Sequence, residues 1–191
     1  MKGIYIFLAD GFEEIEALAT LDVLRRGGLD VKTISIQEDL LVTGAHHIPV
    51  QADMRFEDLM SDVRRDGTRP ADVLIFPGGM PGTKHLAEKQ DLIRLMQQHW
   101  AEGGTVAAIC AAPGLVVSRL PGLEGRKFTC YDGFEEHMTA RGAEYVKAPA
   151  VTDGNLITGR GPGCAVDFAL AILESVKGKE AAEQVRSGMM L

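Results

Sequence analysis

The chain has little cysteine and no long hydrophobic run, and each absence excludes a class of protein. Its 191 residues contain three cysteines, Cys110, Cys130 and Cys164, which are far apart and form no Cys-x-x-Cys pair. This pattern argues against a disulfide framework and against a structural zinc site. The first residues include no apolar stretch of signal-peptide or transmembrane length. We therefore expect a cytoplasmic protein whose thiols stay reduced.

The chain also has fewer positively charged residues than negatively charged ones. The chain has 20 lysines and arginines against 27 acidic residues, which gives a net charge of −7. Nucleic acids and anionic membranes attract a positive field, so we expect neither as a partner. There is no low-complexity tract, no internal repeat and no linker that would divide the chain, so residues 1–191 are predicted to form one domain.

Short apolar runs alternate with helical patterns along the sequence. Strands are predicted at 4–8, 31–36, 73–76, 106–109 and 156–158, and helices at 13–26, 91–101 and 164–176. Such alternation predicts an α/β fold with a doubly wound, mostly parallel sheet and helices on both faces. Residues 41–50 alternate around Gly44 and predict a small β-hairpin, and residues 64–70 predict a surface loop.

Cys110 carries the strongest chemical signal. It follows the fourth predicted strand among small residues, in the segment Ala107-Ala108-Ile109-Cys110-Ala111-Ala112-Pro113-Gly114. Small neighbours are typical of a nucleophile elbow, a sharp turn from strand to helix. The dipole of the following helix would favour the thiolate. An inert buried cysteine is the alternative that this segment leaves open.

Other candidate residues follow the remaining strands, at the edge where open parallel sheets bind ligands. Glu16 lies in the first turn of the first helix, where burial would raise the pKa of its carboxyl. Gly78 and Gly79 offer backbone N–H groups to an anion or oxyanion, although a plain tight turn is the alternative. The arrangement offers a cysteine, a carboxyl and amide donors without a histidine or metal-ligand set, so we expect neither a metal nor a cofactor.

Four motifs, in this order and spacing, resemble the ThiJ/PfpI superfamily and within it the subgroup of the Parkinson-disease-associated protein deglycase. The motifs are Glu13-Glu14-Ile15-Glu16, Pro77-Gly78-Gly79, Ala108-Ile109-Cys110-Ala111 and Arg160-Gly161-Pro162-Gly163. The resemblance extends over nearly the whole chain. It implies a flavodoxin-like fold and a homodimer with the first helix near the interface.

The resemblance also implies roles for individual residues. Cys110 would be the reactive and oxidisable cysteine, Glu16 its protonated partner, and the amides of Gly79 and Ala111 an oxyanion pocket. The other residues expected at the pocket are Tyr131, Arg160, Gly161 and Pro162. The implied activity is that of a glutathione-independent glyoxalase or deglycase acting on small α-oxoaldehydes or glycated substrates. The alternative is a redox-responsive stress protein or chaperone whose Cys110 is oxidised to sulfinate.

Two departures from related patterns narrow the function. Many members place a histidine near the cysteine where this chain has Tyr131, so Glu16 must carry more of the proton transfer. The protease branch has a histidine where this chain has Ala111, so proteolysis is not expected. A class I glutamine amidotransferase would need glycine on both sides of Cys110 and a distal His-x-Glu pair, and both are missing. The five histidines are predicted to lie at the surface: His46, His47, His85, His99 and His137.

Overall fold

A central sheet organises the computed structural model, which describes residues 3–67, 69 and 72–191. The strands in this part of the chain are β1 (Ile4–Leu8), β2 (Val31–Ser35), β3 (Leu41–Thr43), β4 (Pro49–Gln51), β5 (Met54–Arg55), β6 (Val73–Phe76), β7 (Thr105–Ile109), β8 (Lys127–Phe128), β9 (Glu144–Tyr145), β10 (Ala150–Asp153) and β11 (Leu156–Gly159). Seven of them form one sheet in the order β10-β11-β7-β6-β1-β2-β5. All neighbours in it run parallel except β10, which is antiparallel to β11.

Helices cover both faces of this sheet. In the described residues they are α1 (Glu14–Arg26), α2 (Phe56–Asp66), α3 (Gly82–Glu88), α4 (Gln90–Ala101), α5 (Ala112–Leu115), α6 (Glu136–Thr139), α7 (Ala165–Lys177) and α8 (Lys179–Gly188). Along β1, Tyr5 and Phe7 face one buried cluster while Ile6 and Leu8 face the other. Burial on both faces explains why β1 is apolar throughout. The predicted doubly wound, mostly parallel α/β fold with a small hairpin, β3–β4, is confirmed.

The direction of winding reverses between β1 and β6. From β1 the chain moves outward to β2, and it then returns to the other side of β1 as β6. The loops that leave the carboxyl ends of β1 and β6 therefore diverge and open a crevice between them. None of the helices in the described part of the chain has the length and apolar character needed to span a membrane.

The prediction of a surface loop at 64–70 is wrong for its first three residues. Arg64, Arg65 and Asp66 are the last residues of α2, which the sequence analysis did not predict. Only Phe56, Leu59 and Val63 of this helix are buried, so its apolar stripe is narrow and easily missed. Of the rest of that segment, residues 68 and 70 lie outside the described residues.

The surface position predicted for His99 is also wrong. Its side chain on α4 is fully buried, and Nε2 lies 3.0 Å from the carbonyl oxygen of Asp72. The imidazole occupies the space in which any side chain at position 104 would begin, so Gly104 is required there. Burial lowers the pKa of His99, and the ring acts as a neutral part of the core.

Candidate active site

The backbone of Cys110 makes the sharp turn that its small neighbours predict. Its φ angle is 66°, a left-handed conformation that is strained for a residue other than glycine. Two hydrogen bonds hold the turn: the Cys110 N–H donates to the Gly159 carbonyl at 3.0 Å, and the Tyr131 N–H donates to the Cys110 carbonyl at 2.9 Å. The residue as a whole is 9% exposed.

Glu16 is brought to the same point from the first turn of α1. Its side chain is 1% exposed, and Oε2 accepts a hydrogen bond of 2.7 Å from the Gly78 N–H. The other oxygen, Oε1, is buried without a hydrogen-bond partner in the described residues. The carboxyl and the Cys110 thiol interact as hydrogen-bond partners.

Gly78 lies beside both the carboxyl and the thiol, and its lack of a side chain leaves room for the two groups to meet. A Cβ at this position would lie 2.6 Å from Glu16 Oε2 and 2.9 Å from Cys110 Sγ. Both distances are shorter than real Cβ contacts. The glycine is therefore required for close approach, and any side chain would push Glu16 and Cys110 apart.

Glu13 joins the start of α1 to the turn after β6. Its carboxylate caps the helix by accepting a hydrogen bond of 2.7 Å from the Glu16 N–H. Its own N–H donates to the Gly78 carbonyl at 3.0 Å. Glu13 thus caps the N-terminus of α1, and the same two hydrogen bonds hold Glu16 at a fixed position relative to Gly78.

Burial dominates the electrostatics of both reactive groups. It raises the pKa of Glu16 to about 7, which the hydrogen bonds from Cys110 and Gly78 partly oppose. Burial also raises the pKa of the Cys110 thiol, and the Glu16 carboxylate raises it further. The backbone amides of Ala111 and Gly79 act in the opposite direction, because they donate hydrogen bonds to the sulfur.

The two groups therefore titrate as one unit. The pair loses its first proton near neutral pH, and the raised pKa of the thiol favours the form in which Glu16 is ionised and the remaining proton lies on the sulfur. Two amides favour charge on the sulfur, while one favours charge on Glu16. The expected contribution of the helix dipole is small, because α5 has only four residues. Thiolate therefore depends on the amides and on a protonated Glu16.

A pocket of about 330 Å³ contains all four residues expected at the pocket from the resemblance, but Cys110 and Glu16 do not line it. Its lining residues are Tyr131, Asp132, Arg160, Gly161, Pro162, Gly163 and Cys164. Tyr131, at the position where many family members have histidine, connects the pocket to Cys110 through its backbone N–H, and its ring lies against Gly161. Tyr131 is 49% exposed, so a large apolar surface faces solvent at the pocket.

Asp132 was missed by the sequence analysis. Both of its carboxylate oxygens accept hydrogen bonds of 2.9 Å from Arg160 Nη2, and this contact lowers the pKa of Asp132. The ion pair joins the segment after β8 to the segment after β11 across the pocket. The partners are 28 residues apart, so local sequence gives no sign of their contact.

Comparisons with known proteins show what this chain is similar to. The sequence profile of the DJ-1/PfpI family matches residues 2–175. Protein DJ-1 homolog A of Arabidopsis thaliana is 35% identical over 190 residues, covering 100% of this chain and 47% of that protein, so the chain spans about half of its length. Glutathione-independent glyoxalase DJR-1.2 of Caenorhabditis elegans is 35% identical over 170 residues, covering 88% of this chain and 84% of that protein. The crystal structure of a mutant DJ-1 superfamily protein from Salmonella typhimurium superposes with a TM-score of 0.87 at 32% identity, covering 100% and 98% of the two chains.

Proposed function

Because the chain belongs to the DJ-1/PfpI family, we propose that it is a cysteine-dependent enzyme that converts small α-oxoaldehydes to 2-hydroxy acids without glutathione. The observation that carries the proposal is the close approach of the Glu16 carboxyl and the Cys110 sulfur beside Gly78. The relative from Caenorhabditis elegans, named as a glutathione-independent glyoxalase, supports the same reaction class. Glycated substrates present the same carbonyl-derived carbon and are a second substrate class to test.

The reaction begins from the form in which the remaining proton lies on Glu16 and Cys110 is a thiolate. The thiolate adds to the aldehyde carbon and forms a C–S bond, and Glu16 gives its proton to the carbonyl oxygen, which yields a hemithioacetal. The amides of Gly79 and Ala111, which already donate to the sulfur, are placed to stabilise the developing oxyanion.

Glu16 then acts as the proton carrier. Its carboxylate removes the proton from the former aldehyde carbon, and the neighbouring ketone oxygen takes a proton from water to form an enediol. Glu16 returns its proton to the neighbouring carbon, while the hydroxyl on the sulfur-bearing carbon gives its proton to water, which leaves a thioester. Water hydrolyses the thioester, releases the 2-hydroxy acid and restores the thiol. A carboxyl with a pKa of about 7 is suited to both steps at neutral pH.

The direct test is the formation of lactate from methylglyoxal in the absence of glutathione, followed by proton NMR. We expect turnover by the wild-type protein and none by Cys110→Ala. Cys130→Ala is the matched control, because Cys130 is buried near the same corner but contacts neither Gly78 nor Glu16 through its side chain in the interactions described. Equal lactate formation by wild type and Cys110→Ala would remove the proposal.

We also propose a homodimer that uses the first helix. Ile15 on α1 and Ile48 in the loop between β3 and β4 are more than half exposed, as is Leu41 on β3. The hairpin is hydrogen-bonded to the start of α1, so these side chains contribute apolar surface to neighbouring elements. Light scattering of the wild-type protein should give the mass of two chains, and Ile15→Glu should reduce it to one. A wild-type monomer at high concentration would contradict the dimer.

A redox role for the same sulfur is the second candidate. Sulfinate oxygens need several hydrogen-bond donors, and Cys110 has two amides and a protonatable carboxyl around its sulfur. Mild peroxide should then add two oxygens to Cys110 and none to Cys130, as read by peptide mass spectrometry. Stable oxidation in a protein without turnover favours this role over the enzyme, and equal oxidation of both cysteines argues against it.

A further inference from the structure

The β3–β4 hairpin is fastened to the loop that leads into α1. The Gly11 N–H donates to the Thr43 carbonyl at 2.8 Å, and the Ala45 N–H donates to the Phe12 carbonyl at 2.7 Å. The Asp10 carboxylate accepts a hydrogen bond of 2.8 Å from the Thr43 N–H. The opposite side of this loop contacts the turn after β6 through Glu13 and Gly78. The loop that delivers Glu16 is therefore held between the hairpin and that turn.

The hairpin also contacts the buried carboxylate of Glu14 through His46. Glu14 is 5% exposed, and its carboxylate accepts a hydrogen bond of 2.7 Å from the His46 N–H and lies 2.7 Å from His46 Nδ1. Gly44 is required beside it, because any Cβ there would overlap the Glu14 carboxylate. Burial disfavours the charge on Glu14, but the hydrogen bonds from His46 outweigh it and lower the pKa of Glu14.

We propose that His46 is a positioning residue for the Cys110 site, which holds the first turn of α1, and with it the Glu16 carboxyl, through the buried Glu14 carboxylate. Glu14 and Glu16 lie two residues apart in that turn, and Glu13 caps it by accepting from the Glu16 N–H. A displaced Glu14 therefore shifts the atoms that set the Glu16–Gly78 contact. The proposal rests on the proposed function only for its kinetic readout.

The charge of His46 gives this contact a pH dependence. The titratable groups that face His46 are Glu14 and Glu13. One ring nitrogen of His46 and one carboxylate oxygen from each glutamate lie within 4.8 Å of one another. The hydrogen bond with Glu14 raises the pKa of His46. Glu13 in turn raises the pKa of Glu16. A protonated His46 offsets the charge on Glu13, so loss of this cation should move the titration of Glu16 to higher pH.

Two substitutions at position 46 separate the hydrogen bond from the charge. His46→Ala removes the side-chain hydrogen bond and the charge but keeps the backbone N–H bond to Glu14, while His46→Asn places an amide near the position of Nδ1 and keeps the side-chain hydrogen bond without the charge. His47→Asn is the matched control, because His47 is the adjacent surface histidine and asparagine tolerates its φ of 64°. The rate of Cys110 alkylation by iodoacetamide and the rate of lactate formation are measured from pH 5 to 9.

We expect His46→Ala to lower kcat by up to about 100-fold with little change in KM, because a small displacement of a reacting group is costly. His46→Asn should recover most of kcat, with the midpoint of the pH profile above that of the wild type. His47→Asn should match the wild type. Identical pH profiles for His46→Ala and His47→Asn would overturn the proposal. Alkylation still reports on Cys110 if lactate is never formed, so failure of the proposed function is recognised separately.

Discussion

Cys110 and Cys130 are two buried thiols at the same corner of the fold, and they differ in what surrounds the sulfur. Tyr131, which follows Cys130 directly, donates its N–H to the Cys110 carbonyl. Burial raises the pKa of Cys130 to about 12, and the nearby Glu135 and Asp132 carboxylates add to this. Cys130 is fully buried in the core on one face of the sheet, whereas Cys110 belongs to the cluster on the other face.

The difference shows that burial alone does not prepare a thiol for reaction. Burial raises the pKa at both positions, but only Cys110 receives hydrogen bonds from two backbone amides in the interactions that determine these shifts. Its acidic neighbour is also unlike those of Cys130, because the pKa of Glu16 is itself raised to about 7. Glu16 can therefore donate a proton at neutral pH, while an ionised carboxylate only repels a thiolate.

The largest expected effect comes from removing the Cys110 thiol, and removal of the Cys130 thiol is the comparison. Cys110→Ala should reduce lactate formation by roughly 1,000-fold or more, as expected when a nucleophile is lost. Cys130→Ala should lower stability by about 1 kcal/mol, because a small buried group is deleted, and leave turnover within a few-fold of the wild type. Kinetics and thermal unfolding measure the two effects. A larger loss of turnover in Cys130→Ala than in Cys110→Ala would reverse the assignment of the nucleophile.

Glu16→Gln should cost roughly 100- to 10,000-fold in kcat, because the amide cannot carry the proton between the two carbons. The wild-type rate should rise with pH through about 7, as the pair loses its first proton. Glutamine is isosteric, so Gly78 keeps its hydrogen-bond acceptor. The variant is expected to lose the titration near pH 7. A wild-type pH midpoint in Glu16→Gln would show that another group controls the reaction.

Gly78→Ala should reduce turnover by about 100-fold, because the added methyl group displaces the carboxyl from the sulfur. Gly188→Ala is the control, since a Cβ at position 188 meets nothing within 4 Å. A crystal structure of Gly78→Ala, or its rate of Cys110 alkylation, reports the displacement directly. Wild-type activity in Gly78→Ala would mean that the Glu16–Cys110 contact is not needed for the reaction.

The last prediction concerns the free energy of unfolding, which should change with pH because the pKa of Glu16 is raised. The pKa of Glu16 is about 7 in the folded protein and has an ordinary value of 4.5, so the folded state holds a proton that the unfolded chain has released between these values. The resulting stabilisation is complete below about pH 4.5 and is lost as the pH rises through 7. It amounts to at most roughly 3 kcal/mol. Urea unfolding across this range should show the decline in the wild type, and Glu16→Gln should reduce it. An equal decline in both proteins would place its origin elsewhere.

The positions of the main strands along the chain and the elbow could be predicted because their signals are local. An apolar run such as that of β1 is set by burial on both faces, and the alanines around Cys110 indicate a tight turn. Glu16, Gly78 and Gly79 lie just after strands in the sequence, and the structure brings them to Cys110. Their catalytic roles stay predictions. The helix expected after Cys110 is present, but it has only four residues, because Pro113 and Gly114 fit either a helix start or a short turn.

The sequence could not predict several contacts between distant segments. Asp132 with Arg160 and Glu14 with His46 each join residues at least 28 positions apart, and His99 looks like a surface histidine until the carbonyl of Asp72 is placed against it. Hydrophobic spacing determines which residues are buried together with their neighbours in the chain. Which buried carboxyl meets which donor is decided only when the sheet brings the ends of β1, β6 and β7 together, because a pKa depends on the charges and amides around a group in space.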